Sequence, residues 1–401
     1  MAQTVSGETA IGADEDGVSK LFLLLEPEIS GPIAEDLDGT FSVRFEADGS
    51  RTGVGSRQSF SSISAPVIKG DDVRLEIDEA YLDIIAGDLD VTVGKQIIAW
   101  GSIDGVRVTD TINPARLTES VARNQRPDRI PIWAVRLRGR LGAMDFDLVA
   151  APDPTVNQIA LADDAFFPQA PRFLAGLPST DNLPPITREE RNDLIADGTL
   201  GARLAFRFEA TDLRFSLVSA PDHDGVPVAN GPVIEIQHDR RHTIGAELVR
   251  QIGPVVARFE VAWTPDAMFN IADTFATQTT QDSRIIAGFG ADFTGPLDTY
   301  INLQLIIDHA ASDERLVRPD TDVITTLRAQ KSFADEDYNA RLEWFSSFTD
   351  GDGVLRLELS RRLNDQMSLF VGGDYFYGPR NGLFGQYVDR SRGLIGLRLE
   401  L

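Results

Sequence analysis

The chain has 401 residues, with 38 Lys and Arg against 62 Asp and Glu, for a formal net charge of −24. That balance argues against nucleic acid as a partner, because a phosphate backbone is held through Lys and Arg. The absence of cysteine excludes disulfides, thiol catalysis, thiolate metal sites and thioether-linked haem.

At the start of the chain, Met1 ahead of Ala2-Gln3-Thr4 reads as a start residue joined to a mature N-terminus whose signal has been removed. No stretch approaches the ~18 consecutive apolar residues of a membrane helix. The longest run, residues 21–25, ends at Glu26. A hydrophobic fraction of 42% suits a soluble protein and a membrane barrel equally, so the pattern along the chain has to decide.

That pattern is period-two alternation in blocks of about ten residues, the length a tilted strand needs to cross a bilayer. A short opening strand is expected within residues 4–13. In 199–209, Leu200, Ala202, Leu204, Phe206 and Phe208 share one face, while Gly201, Arg203, Arg207 and Glu209 share the other. In 254–263, Val255, Ala257, Phe259, Val261 and Trp263 alternate with Arg258 and Glu260. In 300–308, Ile301, Leu303, Leu305 and Ile307 alternate with Asn302, Gln304 and Asp308. The last block places Ile395, Leu397, Leu399 and Leu401 on one face, as in a terminal strand read by barrel-insertion machinery.

Connections alternate between short and long. Short turns fall near Gly31-Pro32 to Gly39, Gly87-Asp88, Gly142-Ala143, Thr211-Asp212, Gly253-Pro254, Gly295-Pro296, Asp335 to Asp337 and Asn364-Asp365. Long loops fall at about 50–71, 101–129, 152–198, 220–241, 265–283, 309–321 and 379–390, with one short outer connection at 349–353. Short periplasmic turns opposite long outer loops describe a transmembrane barrel. The expectation is an all-β, antiparallel transmembrane barrel of about 18 strands, with 16 as the alternative because 231–240 and the first residues are ambiguous. The whole chain, 1–401, forms one domain. Tyr81, Trp100, Trp133, Trp263, Tyr338, Trp344, Tyr375 and Tyr377 sit near strand ends, where interfacial girdles place aromatics.

The loops 101–129 and 152–198 are expected to fold into or over the lumen. The second carries apolar Phe166, Phe167, Phe173 and Leu174, and it holds a short helix signal in which Thr187 and Glu190 form a capping box and Gly198 a stop.

Residues 93–101 read Val-Gly-Lys-Gln-Ile-Ile-Ala-Trp-Gly and lead to Asp104, Gly105, Asp110 and Ile112-Asn113-Pro114. This segment resembles one in a poorly characterised family of proteobacterial outer-membrane barrels, porin-like in form. In that family a strand beginning Gly-Arg-Gln and ending Trp-Gly opens a loop that closes on Asn-Pro. Lys95 stands where Arg is usual. The loop 222–241, with its Asp-Gly, Val-Pro-Val and Arg240-Arg241, shares the resemblance. What it implies is an outer-membrane barrel engaged in transport or export; it names no substrate. The loop motif therefore comprises Gly94, Gln96, Trp100, Gly101, Asp104, Asp110, Asn113 and Pro114. Physically, Gly101 and Gly105 permit tight turns, Pro114 fixes the loop exit, and Asp104, Asp110 and Asn113 can bond loop amides. The segment reads as a specially folded loop or a constriction element.

Charged residues of the inward face form the second constellation. Arg136, Arg138 and Arg140 stand in a row on one strand without acids beside them in sequence, which points to an anion-favouring patch. Arg203, Arg207, Arg214, Arg258, Arg341, Arg356 and Arg398 lie inward elsewhere, opposed by Glu76, Asp78, Glu209, Glu247, Glu260, Glu343 and Glu358. Facing rows of opposite sign create a transverse field across a pore, or else pair and fill it. His238 and His242 have a spacing that means little in a strand, and Asp350-Gly351-Asp352-Gly353 reads as a hairpin turn rather than a calcium loop. No nucleophile elbow, phosphate loop or zinc motif occurs, so no catalytic residue, metal or cofactor is expected and the role is read as non-enzymatic.

The expectation is an outer-membrane channel, located in a bacterial outer membrane, for a small polar or charged solute. Its partners would be lipid and lipopolysaccharide, the insertion machinery and the solute. The alternative is a structural sleeve enclosing or anchoring a partner such as a multihaem electron carrier or an export complex.

Overall fold

The computed structural model describes residues 2–49, 59–70, 72–119, 128–160, 164–174, 184–189, 191, 193–230, 232–272 and 278–401. Among these, eighteen strands close one antiparallel sheet, to which the two-residue strand Ile68–Lys69 is added at Leu75 and Arg74. They are β1 (Ala2–Asp14), β2 (Gly17–Ala34), β3 (Leu37–Asp48), β4 (Val73–Ala86), β5 (Leu89–Gln96), β6 (Ile132–Leu141), β7 (Met144–Ala151), β8 (Thr199–Phe208) and β9 (Thr211–Pro221). They continue as β10 (Arg240–Ile252), β11 (Val255–Asn270), β12 (Thr279–Gly295), β13 (Thr299–Ala311), β14 (Thr321–Phe333), β15 (Tyr338–Ser347), β16 (Asp352–Asn364), β17 (Met367–Tyr377) and β18 (Arg392–Glu400). Each pairs with the next, and β18 returns to β1 from Ser6↔Glu400 to Ala13↔Gly393. The sheet is thus closed, so no edge is left with unpaired amides, the condition for a sheet to stand in lipid.

The alternation read from the sequence sets the two faces of this wall. On β13, Leu303 and Leu305 point outward and are 47% and 37% exposed, whereas Asn302 and Gln304 point inward and are 1% exposed. Phe206, Phe259 and Leu357 are outward by the same register. Aromatic side chains mark both rims of the apolar band. Trp263 and Tyr375 are exposed towards the outer end, where Trp344 Nε1 donates to Tyr377 Oη (2.8 Å). Phe208, Tyr300 and Phe333 are exposed towards the inner end, where Phe333 stacks on Tyr338 at 5.4 Å. Trp100 departs from the girdle expectation: it is fully buried inside the lumen, because its loop turns inward before reaching the rim.

The inner end carries the short turns. Gly87, Gly142 and Gly253 have φ of +67°, +63° and +58°, which suits the two-residue hairpins they occupy. Two outer connections are also short, at 15–16 and 348–351. The others are long, although β11 and β12 extend well beyond the bilayer and shrink the expected 265–283 loop to 271–278.

The outer loops build small sheets of their own. Within the ambiguous 231–240 stretch, Val233–Gln237 is no wall strand: it forms a hairpin with Val226–Asn230 and pairs in parallel with Ile186–Arg188. Thr187 therefore lies in a short strand, not at a helix start, since pairing with Glu235 captures its main chain. Glu190 lies outside the described residues. Residues 164–174 of the loop 152–198 lie on the far side of the barrel from β7 and β8. Phe166 packs on Phe376 and Tyr387 (ring centres 6.1 and 5.6 Å) and under Arg392 (4.9 Å). Gln386 Oε1 accepts from Gln169 N and Ala170 N, and Arg172 pairs with Asp322 and Asp350. The loop is thereby held against the mouth above β14–β18.

Candidate functional site

The site begins where β5 ends. Gly94 has φ +136°, and a Cβ there would stand 2.2 Å from Ala80 O and 2.6 Å from the Tyr81 Cα, so only glycine fits. Beyond it the chain leaves the wall and runs through the lumen as an arm, 97–119.

Asn113 closes the neck of the arm. Its Oδ1 accepts from Ile98 N (2.7 Å), and its Nδ2 donates to Gln96 O (3.2 Å) and Ile130 O (2.8 Å), stapling outgoing to returning chain. Pro114 follows, and its carbonyl accepts from Ile130 N. Gln96 itself donates to Ala134 O on β6. Asp110 accepts from Trp100 N and from Arg129 Nε (3.3 and 2.8 Å). Trp100 is wedged against the wall with Ile98, Ile112, Val149, Val218 and Ala220. Its Nε1 donates to Asp147 (3.0 Å) and Arg203 lies over its ring at 5.0 Å. Gly201 leaves the room this requires, since a Cβ there would sit 3.0 Å from the indole. Gly101 has φ +102°. Asp104 engages the wall through its main chain, its N facing the amide oxygen of Gln304 at 3.1 Å.

The far end of the arm reaches β11. The Glu260 carboxylate accepts from Ser102 N, Ile103 N (2.6 Å), Thr109 N (3.2 Å) and Thr109 Oγ1 (2.9 Å). Arg258 Nη1 donates to Ser102 O (2.9 Å) while its Nε holds Asp292 (2.8 Å). The returning limb is fixed by charge. Arg116 meets Glu76, Asp78 and Asp128, and Arg44 ties Asp128 (2.8 Å) to Glu26 (2.6 Å). Burial works against the charge of the Arg116 guanidinium, but Glu76, Asp128 and Asp78 outweigh it and hold the group well above its ordinary value. Glu119 bridges Lys20 on β2 (2.6 Å) and Arg392 on β18 (3.3 Å).

Two histidines of the outer loop press on this assembly. His223 is buried with Nε2 at 3.1 Å from Ile112 O, and burial, then Arg107 and Arg241, lower its pKa to about 3. His238 Nδ1 lies 2.7 Å from Asp222 O and its pKa is lowered by burial to about 4. His242 instead meets Asp266 (2.6 Å), so the two sequence neighbours His238 and His242 do not converge.

The arginine row is not without acids. Arg136 pairs with Asp147 (2.6 Å), Arg138 with Asp83 (3.8 Å) and Arg140 with Asp145 (2.7 Å). Arg203 shares Asp147 and Arg207 shares Asp145. The partners were hidden because they come from neighbouring strands. The alternation Asp145, Asp147 against Phe146, Leu148 in β7 is the signal that could have found them. Glu209 is not on the wall at all: β8 ends at Phe208 and Glu209 is exposed in the following turn.

Between residues 105–119 of the arm and the wall of β1–β3, β10–β12 and β14–β18 lies a cavity of about 730 Å³. It extends from Glu8, Arg341 and Arg398 in the inner half to Lys20, Arg241 and Arg284 in the outer half. Arg398 holds Glu358 (2.7 Å) and Glu8 (3.0 Å), Arg341 holds Glu358 (3.0 Å), and Leu24, Phe370 and Leu394 supply an apolar patch.

Residues 69–353, well over half of the chain, match the family described as a protein of unknown function, DUF1302. The chain belongs to this family. The matched stretch of this DUF1302 member spans the arm and its neck. No curated protein matches the sequence. Solved structures share the fold. Acinetobacter baumannii OccAB3 superposes with a TM-score of 0.56 at 9% identity, over 100% of this chain and 98% of that one. Pseudomonas aeruginosa OpdK, crystallised with vanillate, gives 0.53 at 10% identity, over 100% and 98%. Pseudomonas aeruginosa OccK11 (OpdR) gives 0.54 at 11% identity, over 100% and 95%. The DUF1302 chain is thus an eighteen-stranded barrel of porin-like architecture, consistent with an outer-membrane location.

Proposed function

We propose that the protein is a porin-like channel of the outer membrane that passes small polar or charged solutes. The observation that carries this reading is the lumen: an arm narrows it without filling it, leaving an elongated cavity lined by alternating charges. A sleeve around a partner protein needs a clear bore, and here the bore is crossed by the arm and faced by the 152–198 loop. That a barrel of the same architecture has been crystallised with vanillate supports a solute of that scale. Lipid, lipopolysaccharide and the insertion machinery are the partners this reading calls for, and it requires no chemistry on the solute.

An anion preference is the finer reading of the arginine row. Its support is that Arg138 and Arg140 keep 40% and 66% of their side chains open to the inner vestibule. The test is single-channel recording of the purified protein in planar bilayers. Discrete conductance steps are expected, and a correctly folded barrel that carries no current refutes the channel. Replacing Arg136, Arg138 and Arg140 together by Gln is expected to lower anion relative to cation permeability at low salt, the difference shrinking as salt screens the pore. An unchanged reversal potential assigns the row to wall structure, which its carboxylate pairs already serve.

A further inference from the structure

The neck of the arm is stapled by Asn113, and at its far end, where Ile103 and Val108 also pack on Ala262 and Ile306, the main-chain amides turn to one wall side chain. Ser102 N, Ile103 N, Thr109 N and Thr109 Oγ1 converge on the Glu260 carboxylate, and among the described residues every donor to Glu260 comes from the arm. Arg258, two residues earlier on the same face of β11, takes the carbonyl of Ser102. The wall thus offers an acceptor to the arm's N–H groups and a donor to its C=O.

For the wall alone, a carboxylate at this position is unfavourable. Its directly opposed neighbour on β10 is Glu247, and with the arm in place both are only 1% exposed. Like charges directly opposite each other destabilise a strand pair, and the arm that covers Glu260 adds a desolvation penalty that its own donors have to offset. Arg214 serves Glu247 and Arg258 serves Asp292, so the wall's nearby cations are engaged elsewhere. What the Glu260 carboxylate meets instead is the set of N–H and O–H donors the arm brings.

We propose that Glu260 is a positioning residue, a latch that holds the far end of the arm across the lumen and thereby fixes the width of the passage. Released from it, the 102–109 segment loosens from β11, while Trp100, Arg116 and Glu119 keep the rest of the arm in place. The inference rests on the channel reading for its consequence, but its mechanical content can be read without any current.

The chain has no cysteine, which makes a cross-link unambiguous. A Cβ at Gly245 would lie 3.5 Å from the Cβ of Thr109, within the roughly 3.5–4.5 Å span of a disulfide. The experiment compares wild type, Glu260→Ala, and Glu260→Ala carrying Thr109→Cys with Gly245→Cys. Hydrogen exchange at Ser102, Ile103 and Thr109 and single-channel current are both recorded. In Glu260→Ala, those amides are expected to exchange about tenfold or more faster, since charge-assisted bonds are lost. The steady conductance level is expected to give way to transitions between levels. Oxidising the cysteine pair restores the steady level, and reduction removes it, while the three amides, still without the carboxylate, keep their fast exchange.

Should Glu260→Ala not fold, Glu260→Gln keeps one acceptor oxygen but turns an amide N–H₂ towards the donors, and the same loss is expected from it. Wild-type exchange in the folded variant overturns the latch, as does continued flicker after the cross-link has formed. A wild-type barrel without current would defeat the channel reading and leave the exchange comparison to decide the latch by itself.

Discussion

Leu305 is the middle residue of β13, and its side chain faces outward between Phe289 on β12 and Thr325 on β14. In a barrel standing in lipid, this position lies near the bilayer midplane. An arginine there finds beside it only the Thr325 hydroxyl, already donated to Gln304 O, and has too long a path to either interface. The expected loss for Leu305→Arg is about 2–4 kcal/mol, against about 0–1 kcal/mol for the same change near an interface. Phe333, the last residue of β14, supplies that control, because it is also outward and exposed but sits at the inner rim. The loss at the midplane corresponds to a folding equilibrium shifted by roughly 30- to 700-fold for Leu305→Arg, at a factor of ten per 1.4 kcal/mol. Urea titration of folding into lipid vesicles, followed by tryptophan fluorescence and heat-modifiable gel mobility, measures both variants. Equal losses at the two positions, or none at Leu305, would refute the assignment of this face to lipid.

Two further predictions concern the arm and its cover. Asn113→Ala leaves three buried main-chain groups of the neck without partners, at about 1–3 kcal/mol each, so limited proteolysis is expected to cut within the arm while the barrel keeps its heat-modifiable mobility; an arm as resistant as wild type contradicts the stapling role. His223 and His238 titrate at about 3 and about 4, below the ordinary 6.5, so the packed outer loop binds fewer protons than the released loop. Stability from this source is complete above pH 6.5 and is lost as pH falls through that value towards 4. Hydrogen exchange across residues 222–239, corrected for intrinsic rate, should therefore accelerate between about pH 7 and about pH 4.5, and His223→Gln with His238→Gln should remove the acceleration. Identical protection at both pH values counts against the assignment.

The wall was legible because a barrel strand writes its environment directly into residue order. Leu303 and Leu305 against Asn302 and Gln304 need no knowledge of any other strand. The turns were legible for a related reason, as Gly87, Gly142 and Gly253 are demanded by local backbone geometry. What the sequence withheld is non-local. Arg136 looked free because Asp147 belongs to the next strand, and Glu260 looked like one lumen charge among several because its donors are main-chain amides more than 150 residues away. Trp100 read as a girdle residue because its position at a strand end was visible while the inward turn of the loop was not. Thr187 and Glu190 matched a helix-capping pattern, but an available strand at Val233–Gln237 offered the Thr187 backbone a partner that local pattern cannot register.

Glu119 joins Lys20 and Arg392, residues of the two strands that flank β1. The seam of the barrel, where first strand meets last, is therefore bridged from within by the tip of the arm's returning limb. An arm bonded to β2, β11 and β18 ties closure of the sheet to its own placement, over contacts separated by most of the chain's length. Contacts of such sequence separation make formation slow, since long loops have to close before the pairing rewards them. A sequence change inside the lumen therefore bears on closure of the wall as well as on what passes through.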